Sequence, residues 1–283
     1  MDVIVHGGAG SEPADPEGRA SALEKAAHRG ADAASPVDAV VAAVGWLEST
    51  PQFNAGVGSA VQSDGTIRTD AGMMTGSGSA GAACSMPGVE HAIEVARIVM
   101  ASTPHVLVAG EHAVDLAASF GIATRVDLWT ERTRERWAEI EPPMTGLEDQ
   151  LAWVREHFGG HDTVGAVAAD GERVATATST GGRWFALAGR VGDVPQIGSG
   201  FYASEVGGAS ATGAGEDIAR ETLAREAVSH LEDGADAQTA ADRTMADFEV
   251  AREGTAGVIV MDTDGDAGSA YNSASMQVAI DSG

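Results

Sequence analysis

Apolar positions recur at helical spacing over residues 18–30 and again over 37–47. The second run starts after Ser35-Pro36, where serine caps and proline takes the first turn. Ahead of them, residues 2–5 form a short strand that runs into His6-Gly7-Gly8-Ala9-Gly10, a turn whose glycines let the backbone approach something closely. Phe53-Asn54-Ala55-Gly56-Val57-Gly58-Ser59 is a small-residue loop, and Ser63-Asp64-Gly65-Thr66 is the turn of a hairpin, with Thr69-Asp70-Ala71-Gly72 after its returning strand. Residues 90–101 and 110–120 have helical spacing, separated by Ser102-Thr103-Pro104.

From 129 to 160 charges are dense, Pro142-Pro143 interrupts and apolar positions are sparse, which predicts a surface helix and linker. Strands are then expected over 163–169 and 173–178 around Asp170-Gly171, helices over 216–231 and 235–250, and a hairpin of 256–261 with 267–271. Strands at the start and helices at the end of each half predict an α+β layered protein, with two antiparallel-rich sheets each covered by a helix pair.

Composition narrows the function classes. Seventeen basic residues stand against 42 acidic ones, a formal net charge of −25, and Lys25 is the one lysine beside 16 arginines. Such a surface repels nucleic acid and anionic membranes and leaves a small or cationic partner. Acidity with so little lysine is the signature of a halophilic, molar-salt cytoplasm, where screening over roughly 3 Å removes the self-repulsion. No apolar run approaches membrane-span length and no leader pattern opens the chain, so the expected location is cytoplasmic. The single cysteine, Cys84, forms no internal disulfide and reads as a small buried hydrophobe.

Several attractive residues carry little. His91, His105, His112 and His157 lack zinc-ligand pairing, and Asp262, Asp264 and Asp266 alternate without the glutamate of a calcium loop. The charge run 131–141 reads as a wet helix face, and no glycine loop ends in Gly-Lys-Ser/Thr.

The chemistry gathers at His161-Asp162-Thr163-Val164-Gly165, where a threonine stands between exposed linker and buried strand. Thr163 could be structural, or it could attack its own preceding carbonyl and become a new N-terminus. Its α-amine, with an ordinary pKa of about 7.7 to 8.0, would then serve its hydroxyl as base. With it come Ala177-Thr178-Ser179-Thr180-Gly181-Gly182, Gly189-Arg190-Val191-Gly192-Asp193-Val194-Pro195, Gly198-Ser199-Gly200 and Ala211-Thr212-Gly213-Ala214-Gly215-Glu216. Together with His6–Gly10 and Phe53–Gly56, these motifs resemble the plant-type asparaginase and isoaspartyl peptidase family of N-terminal nucleophile hydrolases over nearly the whole chain. The resemblance implies a four-layer αββα sandwich, one domain over 1–283 that cuts itself into 1–162, with an exposed linker at about 129–162, and 163–283. It further implies a homo-oligomer, a dimer of αβ heterodimers.

The same resemblance implies the residue roles. Thr163 is the nucleophile, Asp162–Thr163 the autocleavage bond, and Thr180 the partner of the nucleophilic hydroxyl. Arg190 pairs with the substrate α-carboxylate, Asp193 with its α-ammonium, Gly213 offers a carbonyl to that amine, and Asn54 and Thr212 face the oxyanion. The glycines at 7–10 help seat the freed amine. Backbone carbonyls of Leu47, Glu48, Thr50, Phe53, Ala55 and Val57 would hold a structural sodium ion, and the chemistry requires no cofactor. The implied activity is hydrolysis of L-asparagine and of β-aspartyl dipeptides. Asp162 in place of glycine, Ala214 in place of histidine, and Thr75 in place of an acid depart from the pattern. The first of these keeps a glycosylasparaginase-like activity open. An unprocessed aspartyl-metabolite binding protein is the non-enzymatic alternative.

Overall fold

The strand β1 (Asp2–Gly10) carries side chains of both faces into apolar surroundings: Val3 and Val5 point into one core and Ile4 into another. That two-sided burial defines the architecture. The computed structural model describes residues 1–140, 146–160 and 162–283. Pro142-Pro143, the end of the 131–141 charge run and His161 lie outside the described residues.

After β1 come α1 (Pro16–Ala31), α2 (Pro36–Glu48), β2 (Arg68–Thr75), β3 (Ala80–Pro87), α3 (Ala92–Ser102), β4 (Leu107–Ala109), α4 (Glu111–Ser119), α5 (Glu131–Ala138) and α6 (Leu147–His157). Then follow β5 (Val164–Ala169), β6 (Val174–Thr180), β7 (Phe201–Ser204), β8 (Gly207–Gly213), α7 (Gly215–Glu221), α8 (Leu223–Glu232), α9 (Ala237–Ala251), β9 (Ala256–Asp262), β10 (Ala267–Tyr271) and β11 (Ser275–Ser282). Among the described residues the strands form a seven-stranded sheet, β11-β1-β5-β6-β2-β3-β4, and a four-stranded sheet, β10-β9-β8-β7.

Leu23, Val40, Val44, Leu47 and Ile93 on α1, α2 and α3 cover one face of the large sheet. Its other face meets the small sheet through Ile4, Val167, Val174, Phe201, Ile259 and Met261. Leu223, Val228, Met245 and Phe248 of α8 and α9 close the far side of the small sheet. The result is the expected αββα sandwich. The capping signals act as read: the Ser35 hydroxyl accepts from the Asp38 amide at 3.2 Å at the start of α2.

Three sequence expectations change. The halves do not own a sheet each, because β5, β6 and β11 from the second half pair into the large sheet beside β1 and β2. A cut at Asp162 therefore leaves the two pieces interleaved. The 6–10 glycine segment continues β1 instead of turning, because β11 pairs with Ala9 and Gly10 across a register shift after His6. The expected helix over 216–231 breaks at Thr222, whose φ of 51° is left-handed. The Ala224 and Arg225 amides there donate to the Ser199 and Gly198 carbonyls at 3.2 and 2.8 Å, docking the next helix onto the 198–200 loop. The 129–160 region holds two short helices, with Thr130 capping α5.

Candidate active site

Thr163 opens β5 where the glycine end of β1, the 53–59 loop and the end of β6 converge. It is 5% exposed, and its hydroxyl lies 3.4 Å from the Thr180 hydroxyl. Thr180 in turn donates to the Asp162 carbonyl at 3.2 Å and accepts the Gly182 amide at 3.0 Å. The Asn54 amide nitrogen donates to the same Asp162 carbonyl at 2.7 Å and to Gly182 O at 2.6 Å, while its oxygen accepts from Ala60 N at 2.7 Å. Every polar atom of the Asn54 side chain is thereby fixed. The carbonyl beside Thr163 thus faces two donors, the arrangement that stabilises a developing oxyanion.

Asp162 also carries a carboxylate, and Arg19 reaches it with both terminal nitrogens at 3.1 Å. Arg19 is itself held by the Gly7 and Gln52 carbonyls at 2.6 and 2.8 Å and lies 4.5 Å over the Phe53 ring. Burial raises the Asp162 carboxyl above the ordinary carboxylate range, and Arg19 opposes that shift. A side chain at Gly8, with φ +108°, would strike this carboxylate at 1.4 Å, so glycine is required there.

Beside Thr163, Arg190 and Asp193 share a narrow cleft with Thr180, Gly182, Arg183, Gly213 and Gly215. Glu216 accepts from Arg190 Nε at 2.9 Å and from Arg183 Nη1 at 3.0 Å. Asp193 Oδ2, an anionic acceptor, is buried without a hydrogen bond; Arg190 Nη2, a cationic donor, also makes none but faces Glu216 Oε1 across a 2.9 Å ion pair. They form a ready pair of sockets for a zwitterionic amino-acid end. Burial pushes the Asp193 carboxyl up to about 6, with Arg190 opposing. Burial also works to raise Glu216, but Arg190 and the bonds it receives hold it below its usual value.

The remaining expected residues fall around this centre. Thr212 lies on β8, fully buried, its hydroxyl accepting the Ala9 amide at 3.2 Å, and it is not in the cleft wall. Its neighbour Gly213 is in the wall, at φ +137°, where a side chain would meet Thr255 O at 2.3 Å. Ala214 is buried at the start of α7. Thr75 lines a separate recess of about 500 Å³ with Ser35, Arg173 and Glu205. That recess is larger than the cleft but contains none of the converging residues, so volume does not identify the site.

Leu47, Glu48, Thr50, Phe53, Ala55 and Val57 belong to the end of α2 and the loop folded back on it. The Glu48 and Thr50 carbonyls each accept one backbone N–H, from Val57 and Phe53, and each keeps a second lone pair, while the Leu47 carbonyl takes the Thr50 and Ser49 amides. Backbone carbonyl oxygens are the type of donor a hard cation takes. The Glu48 side chain does something the sequence did not announce. Fully buried, it accepts from Ser179 Oγ at 2.6 Å and Ile93 N at 3.0 Å, and burial raises its carboxyl while His91 and Ser179 oppose. His91, expected to be solvated or a plain core residue, is raised by that same carboxylate.

His6, fully buried, bonds Ser210 Oγ at 2.9 Å, and burial lowers it to about 3, so it is no proton carrier near neutrality. Cys84 is buried and pushed up to about 12 by burial, with Asp70 adding, as an inert thiol. Arg19 and Arg183 are the site residues the sequence reading missed, and Glu216, the last residue of the motif that begins at Ala211, was given no role. Arg183 directly follows Gly181-Gly182, so adjacency to a motif was its available signal.

Fold and site thus define a sandwich hydrolase architecture, with a threonine set at the head of a central strand. The asparaginase family profile matches residues 1–283. The chain is 41% identical to a plant-type L-asparaginase of Pyrococcus abyssi, with 98% of this chain and 95% of that one covered. It is 40% identical to the plant-type L-asparaginase of Thermococcus kodakarensis, with 98% and 95% covered. With an isoaspartyl peptidase/L-asparaginase of Danio rerio it shares 36% identity, with 98% and 91% covered. The chain belongs to the asparaginase family.

Proposed function

We propose that the chain is a self-cleaving amidohydrolase that converts L-asparagine to L-aspartate and ammonia and cleaves β-aspartyl dipeptides. The observation carrying this reading is the two-donor cradle on the Asp162 carbonyl, placed beside a threonine hydroxyl and an Arg190/Asp193 pair.

In self-cleavage, Thr163 Oγ bonds to the Asp162 carbonyl carbon, its proton passes to the amide nitrogen, and the C–N bond breaks to leave an ester. Water adds to the ester and frees the Asp162 carboxylate, the Thr163 hydroxyl and the Thr163 α-amine. In turnover that amine takes the hydroxyl proton as Oγ attacks the substrate side-chain amide and hands it to the departing amine; water then releases aspartate. Arg190 and Asp193 bind the α-carboxylate and α-ammonium, Gly213 O assists the latter, and Asn54 with Thr212 donates to the oxyanion. A sodium ion on the carbonyls of Leu47, Glu48, Thr50, Phe53, Ala55 and Val57 would brace the loop carrying Asn54 and takes no part in bond making.

Among the described residues no helix is long and apolar enough to cross a membrane. A molar-salt cytoplasm, supported by the charge balance, and halves that stay together after cleavage, supported by their interleaving in one sheet, complete this reading, with two such heterodimers forming the assembly. The test is product release in molar salt. Ammonia from L-asparagine and a free amino acid from a β-aspartyl dipeptide are expected, both lost in Thr163→Ala; turnover of glycosylated asparagine alone would contradict the substrate assignment.

A further inference from the structure

Asp162 sits at the junction of three separate cavities. One is the cleft of Thr163, Arg190 and Asp193, only about 10 Å³ in the uncut chain. A second, about 170 Å³, lies against Gly8, Ser11 and Gln277. The third, about 190 Å³, is lined by Arg19, Arg132, Arg136, Asn54, Gly160 and Trp184 among others. The first is too small for an aspartyl group, so the uncut chain plugs its own substrate site. Resting on the cleavage reading above, the plug has a further consequence. Hydrolysis turns the Asp162 carbonyl into a carboxylate that still faces Asn54 and Thr180. If it stayed there, it would compete with every substrate for the Asn54 amide.

Charge decides where it can go. The cleft sets Arg183 and Arg190 against Asp193 and the bordering Glu216, which already pairs with both arginines, so its charges are balanced before the new anion forms. The 170 Å³ cavity offers Arg19 alone as a cation among its lining residues. The 190 Å³ recess gathers three of the 16 arginines in a chain of net charge −25. Arg132 and Arg136, at i and i+4 on α5, make no ion pair among the described residues. Arg132 donates to the Gly58 and Pro51 carbonyls at 3.1 and 3.3 Å and feels the charges of both Asp162 and Arg19. Arg136 lies 4.2 Å over the Trp184 ring. Arg19 already grips the Asp162 side chain and forms a pivot about which the main-chain carboxylate can swing.

We propose that the Arg19/Arg132/Arg136 recess is a carboxylate site that takes up the new α-carboxylate of Asp162, drawing it off Asn54 and opening the cleft to substrate. The other source of the same chemistry is the carboxylate of the amino acid leaving a β-aspartyl dipeptide, and the test separates the two.

Wild type, Arg132→Gln, Arg136→Gln and Arg132→Lys are followed by intact mass through self-cleavage. The cut proteins are then exposed to a carboxypeptidase that accepts C-terminal aspartate and assayed on L-asparagine before and after. Cutting at wild-type position in all four is expected, with about tenfold faster loss of Asp162 in the two glutamine variants. Their KM should rise about tenfold at unchanged kcat, return to the wild-type value once Asp162 is trimmed, and be largely spared in Arg132→Lys. Equal trimming rates, or a KM that trimming does not restore, overturn the proposal. A loss confined to β-aspartyl dipeptides with a free carboxylate, absent for their amides and for asparagine, assigns the recess to substrate and also overturns it. A wild type that never cuts overturns the cleavage reading and the occupant with it, an outcome distinct from the others in the mass spectrum.

Discussion

The side-chain amide of Asn54 donates to the carbonyl of Asp162 across 2.7 Å, from a residue 108 positions earlier in the chain. With Thr180 donating to the same oxygen at 3.2 Å, the peptide bond before Thr163 is polarised by two groups, of which Asn54 is the one that substrate would later use. On the proposed reading, self-cleavage and turnover share the Asn54 donor. Asn54→Ala is expected to slow appearance of the two fragments by about 10²–10³-fold, the usual cost of one such donor. A time course by intact mass checks this, and an undiminished rate would show that the contact is only structural.

Arg190→Lys keeps the charge and loses the planar fork. One charge-assisted hydrogen bond is worth about 1.5–3 kcal/mol, so kcat/KM on L-asparagine should fall about 10- to 100-fold. Self-cleavage, which needs no α-carboxylate, should proceed at the wild-type rate. Steady-state kinetics on the cut variant beside its processing rate separates the two effects.

Asp193, raised to about 6 by burial against the opposition of Arg190, accepts an α-ammonium only when ionised. In the free enzyme kcat/KM should therefore rise as pH increases through about 6. A second rise near 7.7–8.0 belongs to an ordinary α-amine losing its proton. Asp193→Asn should abolish the lower inflection and keep the upper one, which a pH–rate profile resolves.

Stability carries two opposed proton terms. His6 drops from 6.5 to about 3 on burial, so its contribution is complete above pH 6.5 and is lost as pH falls toward 3. Asp70 is raised to about 7, chiefly by burial, and penalises the fold as pH rises from 3.8 toward 7. Between these limits the slopes, about 1.4 kcal/mol per pH unit each, cancel. Asp70→Asn removes one of them, so between pH 7 and 5 the variant should lose about 2 kcal/mol more than the wild type does. Denaturation midpoints at the two pH values measure it; parallel behaviour of variant and wild type would refute the pairing.

Much of this was legible in the chain. Pro36 and Ser35 mark α2, Asp170-Gly171 marks the β5–β6 hairpin, and the motifs around Thr163, Thr180, Arg190 and Asp193 do converge on one cleft. Five strands, β3, β4, β7, β8 and β11, were missed, and in two of them the interior admits almost no side chain. β8 reads Gly-Gly-Ala-Ser-Ala-Thr-Gly because a side chain at Gly207 would meet Leu231 at 2.5 Å and one at Gly208 would meet Val167 at 3.1 Å, so hydrophobic alternation is absent where packing is tightest. β3 is similarly built of small residues. Arg19, Arg132 and Arg136 lie on helices whose polar faces look like solvated surface until the fold brings them to Asp162. The Thr222 break depends on bonds to the 198–200 loop, which no local pattern encodes.

The most direct test of the central claim is the intact mass of the freshly purified protein and of Thr163→Ala, followed over time in molar salt with asparaginase activity read on the same samples. The account predicts that the wild type resolves into 1–162 and 163–283, that activity appears in step with the cut, and that Thr163→Ala stays whole and inactive. A wild type that remains one chain yet turns over L-asparagine would contradict it, because Thr163 would then have no α-amine to act through.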